Sequence, residues 1–189
     1  YRVTEVLPQN ISTDLLQQFD AVIMGIRAYN TVPELKIKQA AILDYVHKGG
    51  NVIVQYNTNR NVVVEDNLAP YMLELSRDRI TDENAKVSFL NKDHEVLNYP
   101  NKITAKDFDG WVQERGLYFP NKWAKEFSPV LSFQENGDDP MEGSLLVAKY
   151  GEGYYIYTGL SFFRELPAGV PGAFRLFANI ISLGNDAKP

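Results

Sequence analysis

The chain has 189 residues, 44% of them hydrophobic and 23% charged, which describes one compact globular domain or at most two small ones. It holds no cysteine, so a disulfide scaffold, a cysteine-based zinc site and a cysteine nucleophile are excluded. A formal net charge of −5 argues against nucleic acid as a partner, and no apolar run approaches the roughly 18 residues of a membrane span.

In the first half, strand and helix signals alternate. Residues 3–7 (VTEVL) read as a short strand closed by Pro8, and Ser12-Thr13-Asp14 can cap a brief helix running through Gln18. Ala21-Val22-Ile23-Met24 is a continuous apolar run, as a parallel strand covered on both faces requires. Thr31 and Glu34 have capping-box spacing, with Pro33 in the first turn, where a missing N–H costs nothing. The helix they open carries Leu35, Ala41, Ile42, Tyr45 and Val46 at helical spacing and ends at Lys48, with Gly49-Gly50 as its left-handed stop. Residues 51–55 (NVIVQ) form a second buried strand. Strand–helix–strand with short joints predicts an α/β fold, an open and mostly parallel sheet flanked by helices.

Further on, Asp66 can cap a helix over residues 67–75, residues 77–81 read as a turn and residues 86–90 as a strand. Residues 91–129 are rich in Asn, Asp, Lys and aromatics without a clear period, and so long a connection is usually functional or carries short elements of its own. Strand signals return at 129–134 and 144–150. Gly151-Glu152-Gly153 then turns the chain into residues 154–158, which predicts a C-terminal β-hairpin. Pro171-Gly172 opens a closing helix with Ala173, Phe174, Phe177, Ile180 and Ile181 on one face. No repeat or linker intervenes, so residues 1–189 are expected to form a single domain. The opening at Tyr1 rather than Met reads as a piece of a larger protein.

Motifs that imitate chemistry fail on detail. His94-Glu95-Val96-Leu97-Asn98 begins like a zinc-protease helix, but Asn98 stands where a second histidine ligand is needed. Gly159-Leu160-Ser161-Phe162-Phe163 follows a strand as a nucleophile elbow would. However, Phe163 occupies a position that must be small, and both histidines (His47 and His94) lie upstream of the serine. Gly151-x-Gly153 precedes a strand instead of following one, so it reads as a hairpin turn and not a dinucleotide fingerprint. The pairs Asp107/Asp109 and Asp138/Asp139 lack the spacing of a calcium loop. These residues imply neither a metal nor a cofactor.

Position is the remaining guide. In an open α/β sheet, ligands gather beyond the carboxyl ends of the strands, here residues 25–30, 55–58 and 159–164. Those ends offer aromatic faces, amides and arginines without a general base, a set that suits a sugar or a carboxylate and would serve equally to pack loops. The candidate ligand-binding residues are Arg27, Tyr29, Tyr56, Asn57, Trp111, Arg115 and Arg164, and truncating Tyr56 to alanine is expected to leave folding intact. The alternative is a hydrolase whose acid and base are drawn from Glu114, Asp107 and Asp109. Trp111 and Glu114 serve as well to fix the middle segment against the sheet.

Residues 19–58 (FDAVIMGIRAYN, then DYVHKGGNVIVQYNT) resemble the core of a class I glutamine amidotransferase-like domain of the ThuA-related, flavodoxin-like kind. The resemblance implies that the strand after Gly-Gly ends in a sharp turn bearing the nucleophile, a position held here by Tyr56. It also places the family's histidine within residues 159–162, where Ser161 stands and no histidine occurs. Amide hydrolysis by that route is therefore closed, because a phenol with a pKa near ~10 is largely protonated at neutral pH. Residues 75–81 (LSRDRIT), 100–104 (PNKIT), 107–119 (DFDGWVQERGLYF) and 157–172 (YTGLSFFRELPAGVPG) resemble the C-terminal region of large bacterial PIG-L/LmbE-like proteins. That resemblance implies an exported, periplasmic or extracellular parent acting as a zinc-dependent N-acetylglucosamine deacetylase, although its Ala-His-Pro-Asp-Asp zinc run does not occur in this chain. The implied role is a non-catalytic accessory domain that binds a glycan or other small molecule, or docks on the parent's deacetylase domain.

Overall fold

A computed structural model describes residues 1–64 and 68–184. In chain order the elements are α1 (Thr13–Leu16), β1 (Ala21–Met24), α2 (Ala28–Thr31), α3 (Leu35–His47), β2 (Asn51–Gln55), β3 (Leu73–Ile80), β4 (Lys86–Phe89), β5 (Gly116–Trp123), β6 (Phe127–Pro129), β7 (Leu131–Gln134), β8 (Leu145–Tyr150), β9 (Gly153–Thr158), α4 (Phe162–Glu165) and α5 (Pro171–Ser182). The main sheet has strand order β1-β2-β9-β8-β6, and two separate strand pairs, β3–β5 and β4–β7, gather the middle of the chain.

The sheet is mixed rather than mostly parallel. β1, β2 and β9 run parallel, but the hairpin at Gly151 (φ +60°) reverses the chain, so β8 lies antiparallel to β9 and β6 antiparallel to β8. Period-two alternation divides the side chains of β2 between two cores. Ile53 meets Ile156, Leu176 and Ile180 on the α5 face, while Val52 and Val54 meet Ile42, Tyr45 and Val46 on the α3 face. The Asn51 amide donates to the carbonyl of Ile180 at 2.9 Å and pins α5 to the sheet.

Several expected elements form as read. Ser12 caps α1 by accepting from the Leu15 N–H, α3 ends against Gly49 (φ +101°), and the closing hairpin is β8–β9. Others differ for physical reasons. Residues 3–7 form no strand, and Val3 is 90% exposed. β1 is an edge strand, so Ile23 remains 43% exposed and is not covered on both faces. The Thr31/Glu34 capping box does not form, because Thr31 closes α2 and donates its hydroxyl to the Arg27 carbonyl. Of the helix expected over 67–75, Asp66 and Asn67 lie outside the described residues; from Leu73 the chain is the strand β3, which continues through the expected turn. Its Leu73, Leu75 and Ser76 are drawn inward while Glu74 and Arg77 face water. In α5 the inward stripe is Ala173, Leu176 and Ile180, at better helical spacing than one through Phe174, which is 51% exposed. The long connection of residues 91–129 carries two 3-10 turns (Glu95–Leu97 and Ala105–Phe108), then β5 and β6.

Candidate functional site

The carboxyl ends of β1, β2 and β9 meet the start of β5, and two glycines make that meeting possible. A Cβ on Gly116 would lie 2.3 Å from the Gly159 carbonyl oxygen, and one on Gly159 would lie 2.5 Å from the Phe119 ring. Without side chains the backbones close up. The Leu117 N–H donates to Gly159 O at 2.9 Å, and the Ser161 N–H donates to Arg115 O at 3.1 Å. The join brings residues 114–118 over the end of β9, beside Tyr56 at the end of β2.

Tyr56 is the centre of an aromatic stack. Its ring lies nearly parallel to Tyr118 (centroids 5.9 Å apart, interplanar angle 12°) and tilts against Phe163 at 5.2 Å. The Arg164 guanidinium lies 4.9 Å from the Phe163 centroid. Burial pushes the Tyr56 phenol above its ordinary pKa, while the positive charges of Arg27 and Arg164 pull it back. Left-handed backbone outside glycine gathers here: Arg27 (φ +56°), Gln113 (φ +68°) and Tyr118 (φ +53°) are three of the four such positions among the described residues. Tyr56 is not one of them, so the strained turn that the resemblance implies at the nucleophile position falls instead on its neighbours. Each such residue costs on the order of 1–3 kcal/mol, and strain of this kind clusters at functional sites.

Glu114 is the charged hub of this edge. Its buried carboxylate accepts from Arg79 at 2.5 Å and from Arg164 at 2.9 Å. Beneath it, the fully buried Glu165 accepts from the Val112 N–H at 2.9 Å and contacts the Ser161 hydroxyl at 3.1 Å. Burial raises the Glu165 pKa, against the lowering effect of those hydrogen bonds. The Ser161 hydroxyl is committed to the Glu114 carbonyl at 2.7 Å and is itself buried, so the residue at the degenerate histidine position serves as a brace for the segment above it.

The other candidates divide sharply. Arg27 is exposed at the end of β1, and its N–H donates to the Tyr56 carbonyl at 2.8 Å. Tyr29 is a core residue: it is completely buried, its hydroxyl donates to Gln39, and desolvation raises its pKa. Asn57 is also buried and structural, with its side-chain oxygen accepting from the Tyr29 N–H and its amide donating to Gln55 O. Trp111 packs on Phe108 and donates to the Asp107 carbonyl at 3.0 Å. Arg115 lies within the core, donating to the carbonyls of Ala85 and Phe108 among the rings of Phe108, Trp111 and Phe133. Of the seven, Arg27, Tyr56 and Arg164 come together at the edge. Tyr118, Phe163 and Arg79 complete the site and were not among the candidates.

The carboxylates of the alternative reading are held apart by different partners. Glu114 is saturated by Arg79 and Arg164, whereas Asp107 pairs with Arg175 of α5 at 2.7 Å and closes a capping box with Thr104. Asp109 is exposed. Among the described residues no group of three or more His, Asp or Glu could hold a metal ion, and no helix is long and apolar enough to cross a membrane. On the α5 side of the same edge, a shallow groove of about 310 Å³ runs between Ile26, Gln55, Phe163 and Phe177.

No family model and no curated protein matches the chain. Among solved structures it is similar to cytoplasmic protein STM3548 from Salmonella typhimurium, with a TM-score of 0.59 and 15% identity over 91% of this chain and 74% of that one. It is also similar to a ThuA-like protein from Bacteroides uniformis, with a TM-score of 0.51 and 17% identity over 95% of this chain and 76% of that one. The fold is thus similar to that of a ThuA-like protein. A GH42 β-galactosidase, Gan42B, aligns with a TM-score of 0.52 and 13% identity over 92% of this chain and 22% of that one. At these identities the likeness is one of fold. Within this fold, the parallel strands β1, β2 and β9 end together at the stack around Tyr56.

Proposed function

We propose that the chain is a non-catalytic, class I amidotransferase-like accessory module, flavodoxin-like in its parallel half, that binds a small ligand or glycan beyond the ends of β1, β2 and β9. The observation supporting this is the stack itself. At the position where the resemblance expects a nucleophile, a phenol packs against Tyr118 and Phe163, with Arg164 over the Phe163 ring and the Arg27 N–H on the Tyr56 carbonyl. Ser161, where the histidine is expected, is buried as a brace. The place is furnished for contact, and neither group can make or break an amide.

The context proposed from the sequence resemblance is an exported PIG-L/LmbE-like zinc N-deacetylase, with this module lying C-terminal to the catalytic domain. Calorimetric titration of the chain with amino sugars and chito-oligosaccharides, run beside a glutaminase assay, tests the reading. Saturable binding without glutamine turnover is expected. Turnover of glutamine at an enzymatic rate would overturn it. An absence of binding together with tight association to the deacetylase domain would replace ligand binding with docking.

A further inference from the structure

Two hydrogen-bonding groups at this edge are not used by the fold. Tyr56 is only 8% exposed, yet its hydroxyl has no hydrogen-bond partner among the described residues and is not sealed from solvent. A polar tip on so buried a side chain is normally satisfied by the protein, which leaves this one available to something arriving from outside. Arg27 is the second group. Its backbone is fixed in the left-handed region (φ 56°, ψ 17°) with its N–H on the Tyr56 carbonyl, while its guanidinium makes no ion pair or hydrogen bond among the described residues. The 2.8 Å bond from the Arg27 N–H to the Tyr56 carbonyl makes the two residues neighbours across the ends of β1 and β2.

The surroundings decide what such a spot accepts. Arg164 uses only its Nε on Glu114 and lies over the Phe163 ring, so its terminal N–H groups add donors to the same edge. The one nearby acceptor, Glu114, is already taken by Arg79 and Arg164. The Arg27 guanidinium carries a whole charge not neutralised by an ion pair among the described residues, in a chain whose net charge is −5. A site with one unspent positive charge beside an unbonded phenol fits a planar anionic acceptor, for which the guanidinium fork and a phenolic O–H are the matching geometry. The half-exposed rings of Tyr118 and Phe163 flank it and suit a ring attached to that acceptor.

We infer that the strand edge takes a sugar acid, its carboxylate held between Arg27 and the Tyr56 hydroxyl and its ring lying against Tyr118 and Phe163. This rests on the reading of the edge as a ligand site and adds the class of ligand. The test is calorimetric titration of the full chain with trigalacturonate, galactotriose and galactose phosphate, repeated on Arg27→Ala and Tyr56→Phe. Trigalacturonate is expected to bind about tenfold or more tightly than galactotriose. Arg27→Ala and Tyr56→Phe are each expected to weaken it about tenfold or more, as loss of hydrogen bonds to a charged group predicts. Unfolding midpoints of both variants should stay at the wild-type value. Equal affinity for galactotriose, with Arg27→Ala unchanged, would overturn the sugar-acid assignment and leave the ligand site standing. Tighter binding of galactose phosphate would overturn the carboxylate in favour of a phosphate. Binding of none of the three, to a chain that does bind chito-oligosaccharides, would remove the acid alone. Silence toward every probe would remove the site.

Discussion

Tyr56 does two separable things, and two substitutions separate them. Tyr56→Ala deletes a ring that is stacked on Tyr118 at 5.9 Å and packed against Phe163 at 5.2 Å. Removing a buried aromatic ring costs about 3–5 kcal/mol. Tyr56 sits at the rim with 8% exposure, so water can enter the space, and the lower end, about 3 kcal/mol, is expected. For a domain of this length that corresponds to a melting point about 6–12 °C lower, since each kcal/mol moves Tm by about 2–4 °C. The structure thus amends the expectation that truncation leaves folding untouched: the fold survives with a large part of a typical 5–15 kcal/mol stability gone. Tyr56→Phe keeps the ring and removes only a hydroxyl that the protein leaves unbonded, so its stability should change by less than about 0.5 kcal/mol. Urea unfolding followed by tryptophan fluorescence measures both. A loss above about 1 kcal/mol in Tyr56→Phe would show that the hydroxyl is satisfied internally, and a loss below about 1 kcal/mol in Tyr56→Ala would show that the ring is not packed.

Glu114→Gln leaves an amide facing two guanidiniums, one of which then meets an N–H instead of an oxygen. With Arg79 and Arg164 partly in solvent, the lost charge-assisted bond is worth about 1.5 kcal/mol, a difference readable in urea midpoints that should shrink at high salt. Gly159→Ala forces a methyl to 2.5 Å from the Phe119 ring and 2.7 Å from the Leu117 carbonyl oxygen, which overpacking puts at about 1–3 kcal/mol or more. Gly25→Ala, at the same edge with nothing within 4 Å, is the control and should stay within about 0.5 kcal/mol on thermal melts. Glu165 has a folded pKa raised by burial, so the folded chain holds that proton more tightly than the unfolded one. Its contribution is therefore favourable below the unfolded value of about 4.3 and is lost as pH rises through the folded pKa. Glu165→Gln mimics the protonated acid and should flatten that decline, giving a variant at least as stable as wild type at neutral pH. Urea midpoints taken across mildly acid to neutral pH check it, and a variant markedly less stable than wild type at neutral pH would contradict it.

The part of the fold that could be read from sequence is the part whose signals are local. Gly49-Gly50 stops α3 because a left-handed residue is needed there, and the run NVIVQ is buried on both faces because β2 is an interior strand. β1 has the same apolar character at the sheet's edge, and no local pattern separates an edge strand from a central one. β3 and β5 were hidden for a different reason. Their pairing shifts register between Glu74 and Leu75, between Leu75 and Asp78, and between Asp78 and Arg79, so their alternation is broken where a periodicity argument needs it intact. The expected strand over 129–134 is two strands sharing one apolar run, with Val130 between β6, which pairs with β8, and β7, which pairs with β4.

At the site, the sequence located the edge and misassigned side chains across it. Glu114 and Arg115 are adjacent in the irregular backbone before β5, and their side chains part to different partners. The residue weighed as a catalytic acid therefore reaches the edge, already neutralised by two arginines, while the one weighed as a ligand contact points into the core and spends its donors on Ala85 and Phe108. Tyr118, left-handed at φ +53°, interrupts the alternation of β5, so no simple parity brought it out beside buried Phe119. Phe163 carries the same argument furthest. Its bulk is what disqualifies Gly159-Leu160-Ser161-Phe162-Phe163 as a nucleophile elbow, and in the folded chain that bulk forms the wall against which Tyr56 rests and the face over which Arg164 lies. The residue that breaks the elbow pattern is thus the one that furnishes this edge with an aromatic surface.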